Sequence, residues 1–167
     1  MQYLYLHRLQ EQGTARYVYV FDEHALSPNN LVLRNLFRCM IEAVEGEIDQ
    51  IEMEYSDTAT AKLMGVERAV QMLTLMGAQE ADKVENWQGD VLLSRTFVVT
   101  AEAKRLEYLR HMRELDEVYR IQLSENGVEK VHLYFAQTLA CLLTAEQEDV
   151  FVSLLAQRNV PYKILGN

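Results

Sequence analysis

Apolar and polar residues alternate with a period of two in Tyr3–Leu9 and again in Arg16–Asp22, with Gly13 between the two runs. Alternation of this kind marks half-buried strands, so the pair predicts a β-hairpin with a loop of several residues. Ser27 and Pro28 then supply a helix N-cap and the proline tolerated at a first helical position. From Leu31 to Val44 the period becomes helical, with Leu33, Leu36, Phe37, Met40, Ile41 and Val44 on one stripe, and Gly46 closes the helix. "IEMEY" returns to alternation, placing Ile51, Met53 and Tyr55 against Glu52 and Glu54 as a strand with one acidic face. Asp57 caps a second helix that runs to Met76 and stops at Gly77. A looser stretch holding Trp87 leads to a strand over Val91–Val99, and Thr100 caps a third helix through Leu115.

The last third opens with "VYRIQLSENGVEKVHLYF", two alternating runs joined by Asn126-Gly127. That dipeptide accepts positive φ at both central positions and is the strongest short signal for a two-residue hairpin. Thr144 and Gln147 have capping-box spacing for a final helix ending near Asn159, and Pro161 precedes a short strand, Tyr162–Leu165. Hairpin, helix and strand therefore occur in the order ββαβ at each end of the chain. The pattern predicts an α+β fold, a mostly antiparallel sheet with helices packed on it. A chain of 167 residues fits one such domain over 1–167, or two half-units of about 1–77 and 90–167. The pattern leaves open whether the two hairpins share a sheet.

Composition narrows the class. Apolar residues make up 49% and charged residues 25%, as in ordinary globular chains, and no apolar run approaches the roughly 18 residues of a membrane span. "MQYLYLHRLQ" lacks the basic and apolar regions of a secretory signal, and Cys39 and Cys141 sit inside apolar runs. Both points lead to the expectation of a cytoplasmic protein with buried, reduced thiols. The net charge of -9 is concentrated: seven acids and no lysine or arginine fall between Glu42 and Asp57. A negative surface repels a phosphate backbone, so direct nucleic-acid binding is not expected, whereas a protein partner with a basic surface is.

The chain has no phosphate-binding glycine loop, no nucleophile elbow, no HExxH and no CxxC. No cofactor or metal is expected from its motifs. Three constellations remain. On a two-residue period Tyr3 and Tyr5 share one face of the first hairpin strand, and Tyr17, Tyr19 and Phe21 share one face of the second. If these rows lie side by side they form an aromatic interface, the surface of a homodimer or partner contact. Glu45, Glu47, Asp49, Glu52 and Glu54 form the candidate acidic partner-binding segment. Asp22, Glu23 and His24 put two carboxylates and an imidazole at a strand end, which would suit a small-molecule site or a modest hydrolase. The leading expectation is a non-enzymatic protein-interaction module, in the manner of an adaptor, chaperone or inhibitor. The alternative is a ligand-binding domain centred on His24.

Overall fold

In the computed structural model, which describes residues 2–24, 29–134 and 137–166, the first hairpin is tighter than its sequence suggests. Strands β1 (Leu4–Glu11) and β2 (Thr14–Val20) pair as far as Glu11 opposite Thr14, leaving only Gln12 and Gly13 in the turn. Both have positive φ, 43° and 84°, the geometry that matches strand twist in a two-residue connection. Gly13 adopts it without a Cβ penalty. Ser27 and Pro28 lie outside the described residues. The cap that is described is Asn29, whose side chain accepts a hydrogen bond from the Leu31 amide at 2.8 Å at the start of α1 (Asn30–Val44).

The remaining elements are β3 (Gln50–Tyr55), α2 (Asp57–Met64), α3 (Val66–Leu75), β4 (Val84–Gln88), β5 (Val91–Thr100) and α4 (Ala103–Arg110). They are followed by β6 (Arg120–Glu125), β7 (Val128–Tyr134), β8 (Thr138–Thr144), α5 (Ala145–Gln157) and β9 (Tyr162–Leu165). Four differ from the sequence pattern. The expected second helix is two helices, because Gly65 takes φ 85° and ψ 149° and interrupts the hydrogen-bond ladder. The loose stretch around Trp87 is strand β4. The third helix is capped at Glu102 and ends at Arg110, short of Leu115. The apolar run around Cys141 is β8, so the C-terminal unit is βββαβ. The Asn126-Gly127 turn and the Thr144–Gln147 capping box both form as the residues indicate.

Among the described residues all nine strands join one sheet in the order β4-β5-β3-β6-β7-β8-β2-β1-β9, antiparallel except where β9 runs alongside β1. The five α-helices of the described residues and this sheet make an α+β fold. The two halves of the chain interleave, since β3 lies between β5 and β6 while β2 and β1 lie between β8 and β9.

The register divides the sheet into two unlike faces. One row runs Leu6, Tyr19, Leu139, Leu133, Ile121, Met53, Phe97 across seven strands, and none of these exceeds 2% exposure. Fully burying a side chain of this size stabilises the fold by about 1.5–3 kcal/mol. Against this face pack α1, through β7 and β8, and α5, through β8 and β2. Helix α1 is buried on several sides because α4 and α5 also lie against it. The neighbouring row belongs to the opposite face: His7, Val18, Ala140, His132, Gln122, Glu52, Val98. The next row on that face is Val20, Thr138, Tyr134, Arg120, Glu54, Thr96, Val84. Cys39 and Cys141 are free and buried, and no described helix is long and apolar enough to cross a membrane.

Helix α5 is tied to the first hairpin by a polar triad. Glu148 accepts from Arg8 Nε at 2.6 Å and from the Tyr17 hydroxyl at 2.6 Å. The hydrogen bond from Arg8, reinforced by that from Tyr17, holds the Glu148 carboxyl below the usual glutamate range. A depressed folded-state pKa contributes stability that is complete above the unfolded value of about 4.3 and drains away as pH falls through the folded value. Glu148→Gln should therefore flatten the fall in stability below about pH 4.5, measured by denaturant titration across pH. An unchanged slope would remove the triad from the acid response.

Candidate functional site

On the polar face the side chains that converge come from five separate segments. Glu52 and Glu54 project from β3 because Ile51, Met53 and Tyr55 take the buried positions. Pairing with β6 puts Arg120 directly opposite Glu54. Its guanidinium is shared, donating from Nε to Glu54 Oε1 at 3.2 Å, from Nη2 to Glu52 Oε2 at 2.6 Å and from Nη1 to Gln122 Oε1 at 3.1 Å. The second Glu54 oxygen accepts the Ser94 hydroxyl of β5. Ser94 in turn accepts from Asn86 Nδ2 of β4 at 3.0 Å, and that same amide reaches Thr96 Oγ1 at 3.0 Å.

Glu54, Ser94 and Asn86 of this cluster border a cavity of about 470 Å³. Glu54, Ser56, Asn86 and Ser94 form its polar lining, and Ala59 and Leu93 its aliphatic part. The register of β4 against β5 shifts between Asn86 and Trp87. Such a bulge re-aims side chains, and here Leu93 and its neighbour Ser94 both border the cavity. Tyr119 and Tyr134 complete the wall, ring centroids 5.3 Å apart and hydroxyls 3.2 Å apart. The bond to Tyr134 raises the Tyr119 phenol above its ordinary pKa. His132, on the same strand as Tyr134, is held neutral at higher acidity than usual because burial disfavours its charged form. A second cavity of about 180 Å³ shares Ser56, Ala59 and Tyr119 and extends toward Glu117. Glu117 is 2% exposed and is satisfied by Arg68 at 3.0 Å and the Tyr108 hydroxyl at 2.8 Å.

The residues singled out from sequence are distributed differently. The register of the first hairpin sets Tyr19 opposite Leu6 and Tyr17 opposite Arg8, on the helix-covered face, whereas Tyr5 stands on the other. A common aromatic face is therefore absent. Tyr17 is 3% exposed and packs edge-on against Phe151, and Tyr19 is fully buried against Phe21. Burial alone pushes the Tyr19 phenol up to about 12. Tyr5 is exposed, and Tyr3 lies beneath the Lys163 ammonium at 4.5 Å.

The acids of the acidic segment have partners within the chain, although Glu47 and Asp49 are exposed. Glu45 pairs with Arg110 at 2.7 Å, Glu47 accepts from Gln147, and Asp49 accepts from the Asn126 amide at 2.8 Å. Glu52 and Glu54 share Arg120, Glu42 is held by Arg158 and Arg38, and Asp57 binds Arg95. Each acid meets a basic or donor group from elsewhere in the chain, so a charge run in sequence becomes dispersed pairs in space.

His24 is structural. The Tyr5 amide donates to its Nε2 at 3.1 Å, so the proton resides on Nδ1 and is donated to the Val20 carbonyl at 3.1 Å. Its ring also lies against Tyr19 and Tyr5. With both nitrogens committed to main chain, it is not poised as a general base. Glu23 pairs with His7 at 2.6 Å, and Asp22 is exposed. The Asp22–Glu23–His24 triplet ends a strand and braces β1.

No protein-family model matches the chain, and neither does any curated protein or solved structure. Of the residues around the cavity, sequence reasoning had marked only Glu54. Ser94, Asn86, Tyr119 and Tyr134 carry no local signal, because they meet only through the strand order.

Proposed function

We propose that the protein is a non-enzymatic interaction module that takes an extended, basic segment of a protein partner onto the free edge of β4. The observation that carries this reading is the concentration of apolar surface at that edge. Val84 and Trp87 of β4 are 63% and 55% exposed, and Val91, Leu93 and Val98 of the adjoining β5 are exposed as well. Among the described residues β4 pairs only with β5, so its outer hydrogen-bonding groups face away from the sheet. Edge strands are ordinarily guarded by lysine, proline or a covering element. β4 has no lysine or proline within it, and its one charge, Glu85, is tied to Arg95 and the Trp87 indole. An unguarded edge with a tryptophan anchor is suited to strand addition.

Charge favours a basic arrival. Glu80, Asp82, Glu85 and Asp90 surround β4, against Lys83 and Arg95, and neither Asp82 nor Asp90 makes an ion pair with a described residue. Selection of peptides from a random library on the immobilised protein should enrich basic, β-branched sequences, with binding that weakens as salt rises. Val84→Lys, which installs a guard, and Trp87→Ala should each reduce binding by about tenfold or more. Enrichment indifferent to both changes would overturn the reading. Light scattering on the unliganded protein reads the competing occupant, a second copy joined through the same edge.

A further inference from the structure

The cavity beside Glu54 borders β4 through Asn86 and shares Leu93 with the apolar surface of β5, but its charged and aromatic lining has its own chemical signature. We infer that it is a binding site for an alkylammonium group, either on a lysine side chain or on a free amine. Three observations carry this independently of the edge-strand reading. First, Glu54 contributes the only formal charge among the described residues that line the cavity. Arg120 is not one of them, and it divides its single positive charge between Glu52 and Glu54, so the cluster keeps a net charge of about one negative unit.

Second, the lining is rich in acceptors and short of donors. The Ser94 hydroxyl proton is spent on Glu54, and the Asn86 amide protons go to Ser94 and Thr96, which leaves Asn86 Oδ1 as an acceptor. Of the two tyrosine hydroxyls one proton is used within the pair, so the other and that of Ser56 are the donors left. A ligand that supplies donors is matched here, and an anion is repelled. Third, part of the lining is aromatic. Tyr119, which is 44% exposed, and Tyr134 present ring surface beside a carboxylate, with Ala59 and Leu93 to take the methylenes next to nitrogen. Rings attract cations through their quadrupole, and a carboxylate within the same cavity adds charge-assisted hydrogen bonds. The volume of about 470 Å³ is in the range of small-ligand sites and holds an amine with several carbons.

The test is a calorimetric and NMR titration of the purified protein with n-butylammonium, with Nα-acetyl-lysine amide and with its neutral Nε-acetylated counterpart. The two cationic probes should bind and the neutral one should bind at least tenfold more weakly. Glu54→Gln should lose about tenfold or more in affinity for the cations. Leu93→Lys, at a half-exposed position that tolerates the change, fills the cavity with an internal ammonium and should abolish binding of added amine. This second variant decides the matter if Glu54→Gln loosens the fold, as monitored by circular dichroism. In the Val84→Lys background, where strand addition is blocked, a lysine-containing extended peptide that binds more tightly than Nα-acetyl-lysine amide identifies a protein chain as the source, and equal affinities identify a free amine. Equal binding of the neutral probe, or no binding of either cation, would overturn the inference, whatever happens at β4.

Discussion

Gln147→Leu should lower the free energy of unfolding by about 3–5 kcal/mol, although it replaces a neutral residue by an apolar one of similar size. Lys130 is only 4% exposed, and its ammonium donates to Gln147 Oε1 at 2.9 Å. The same oxygen accepts the Thr144 amide at 3.0 Å, while the Gln147 amide nitrogen donates to Glu47. One side chain thus satisfies a buried cation, a helix N-terminus and a carboxylate. Leucine removes all three partners and strands the ammonium in a place that water does not reach. The cost comes from what is left unpaired more than from the bond that is lost. It follows that Lys130→Met combined with Gln147→Leu should recover the part of the loss that comes from the stranded ammonium, while the Thr144 amide and Glu47 still lack the Gln147 side chain. Chemical denaturation of the wild type, both single variants and the double variant measures the coupling. Additive losses would show that the two residues act separately.

Phe151→Ala should cost about 3–5 kcal/mol, for a different reason. Phe151 is fully buried and meets the Tyr17 ring edge-on at 5.1 Å, and it is the apolar peg by which α5 sits on β2. Removing the ring leaves a cavity that the surrounding strands cannot close without breaking their register. The damage should also be directional. Helix α5 leads into β9, which pairs with β1 through Leu4–Tyr162 to His7–Leu165. Hydrogen exchange in β9 should accelerate well before exchange in β6 and β7. Uniform acceleration across the sheet would mean that α5 and the central strands unfold as one unit.

How much of this was legible beforehand depended on whether the signal was local. Asn126-Gly127 was, because positive φ at two successive residues is a property of those residues alone. The Thr144–Gln147 capping box was too. Strand β8 was not, since Ala140 on one face is buried like Leu139 and Cys141 on the other, so "TLACLL" shows no alternation and reads as a plain apolar run. Nor was β4, where "VENWQ" has too few apolar residues to show a period. The acidic run misled for a related reason. Its excess is real in one dimension, but Arg95, Arg110, Arg120 and Arg158 arrive from 38 to more than 60 positions away, a pairing that depends on topology. The aromatic rows failed on a single unknown, the turn length, which sets which face each tyrosine takes. The cavity compounds all of these, because Glu54, Asn86, Ser94, Tyr119 and Tyr134 become neighbours only after β3 has been inserted between β5 and β6.

The placing of β2 and β1 between β8 and β9 also governs how the polypeptide can be made. During vectorial synthesis β2 emerges early, yet its second neighbour, β8, is complete only at Thr144, and β1 waits for β9 near Leu165. A ribosome-bound chain therefore carries an open, largely apolar N-terminal hairpin through most of its translation. Pairing of this sequence separation slows folding and leaves strand edges exposed to other chains in the interval. Nascent chains are expected to need shielding until β8 and β9 have emerged, and a fragment stopped before β8 would present β2 as a template for aggregation.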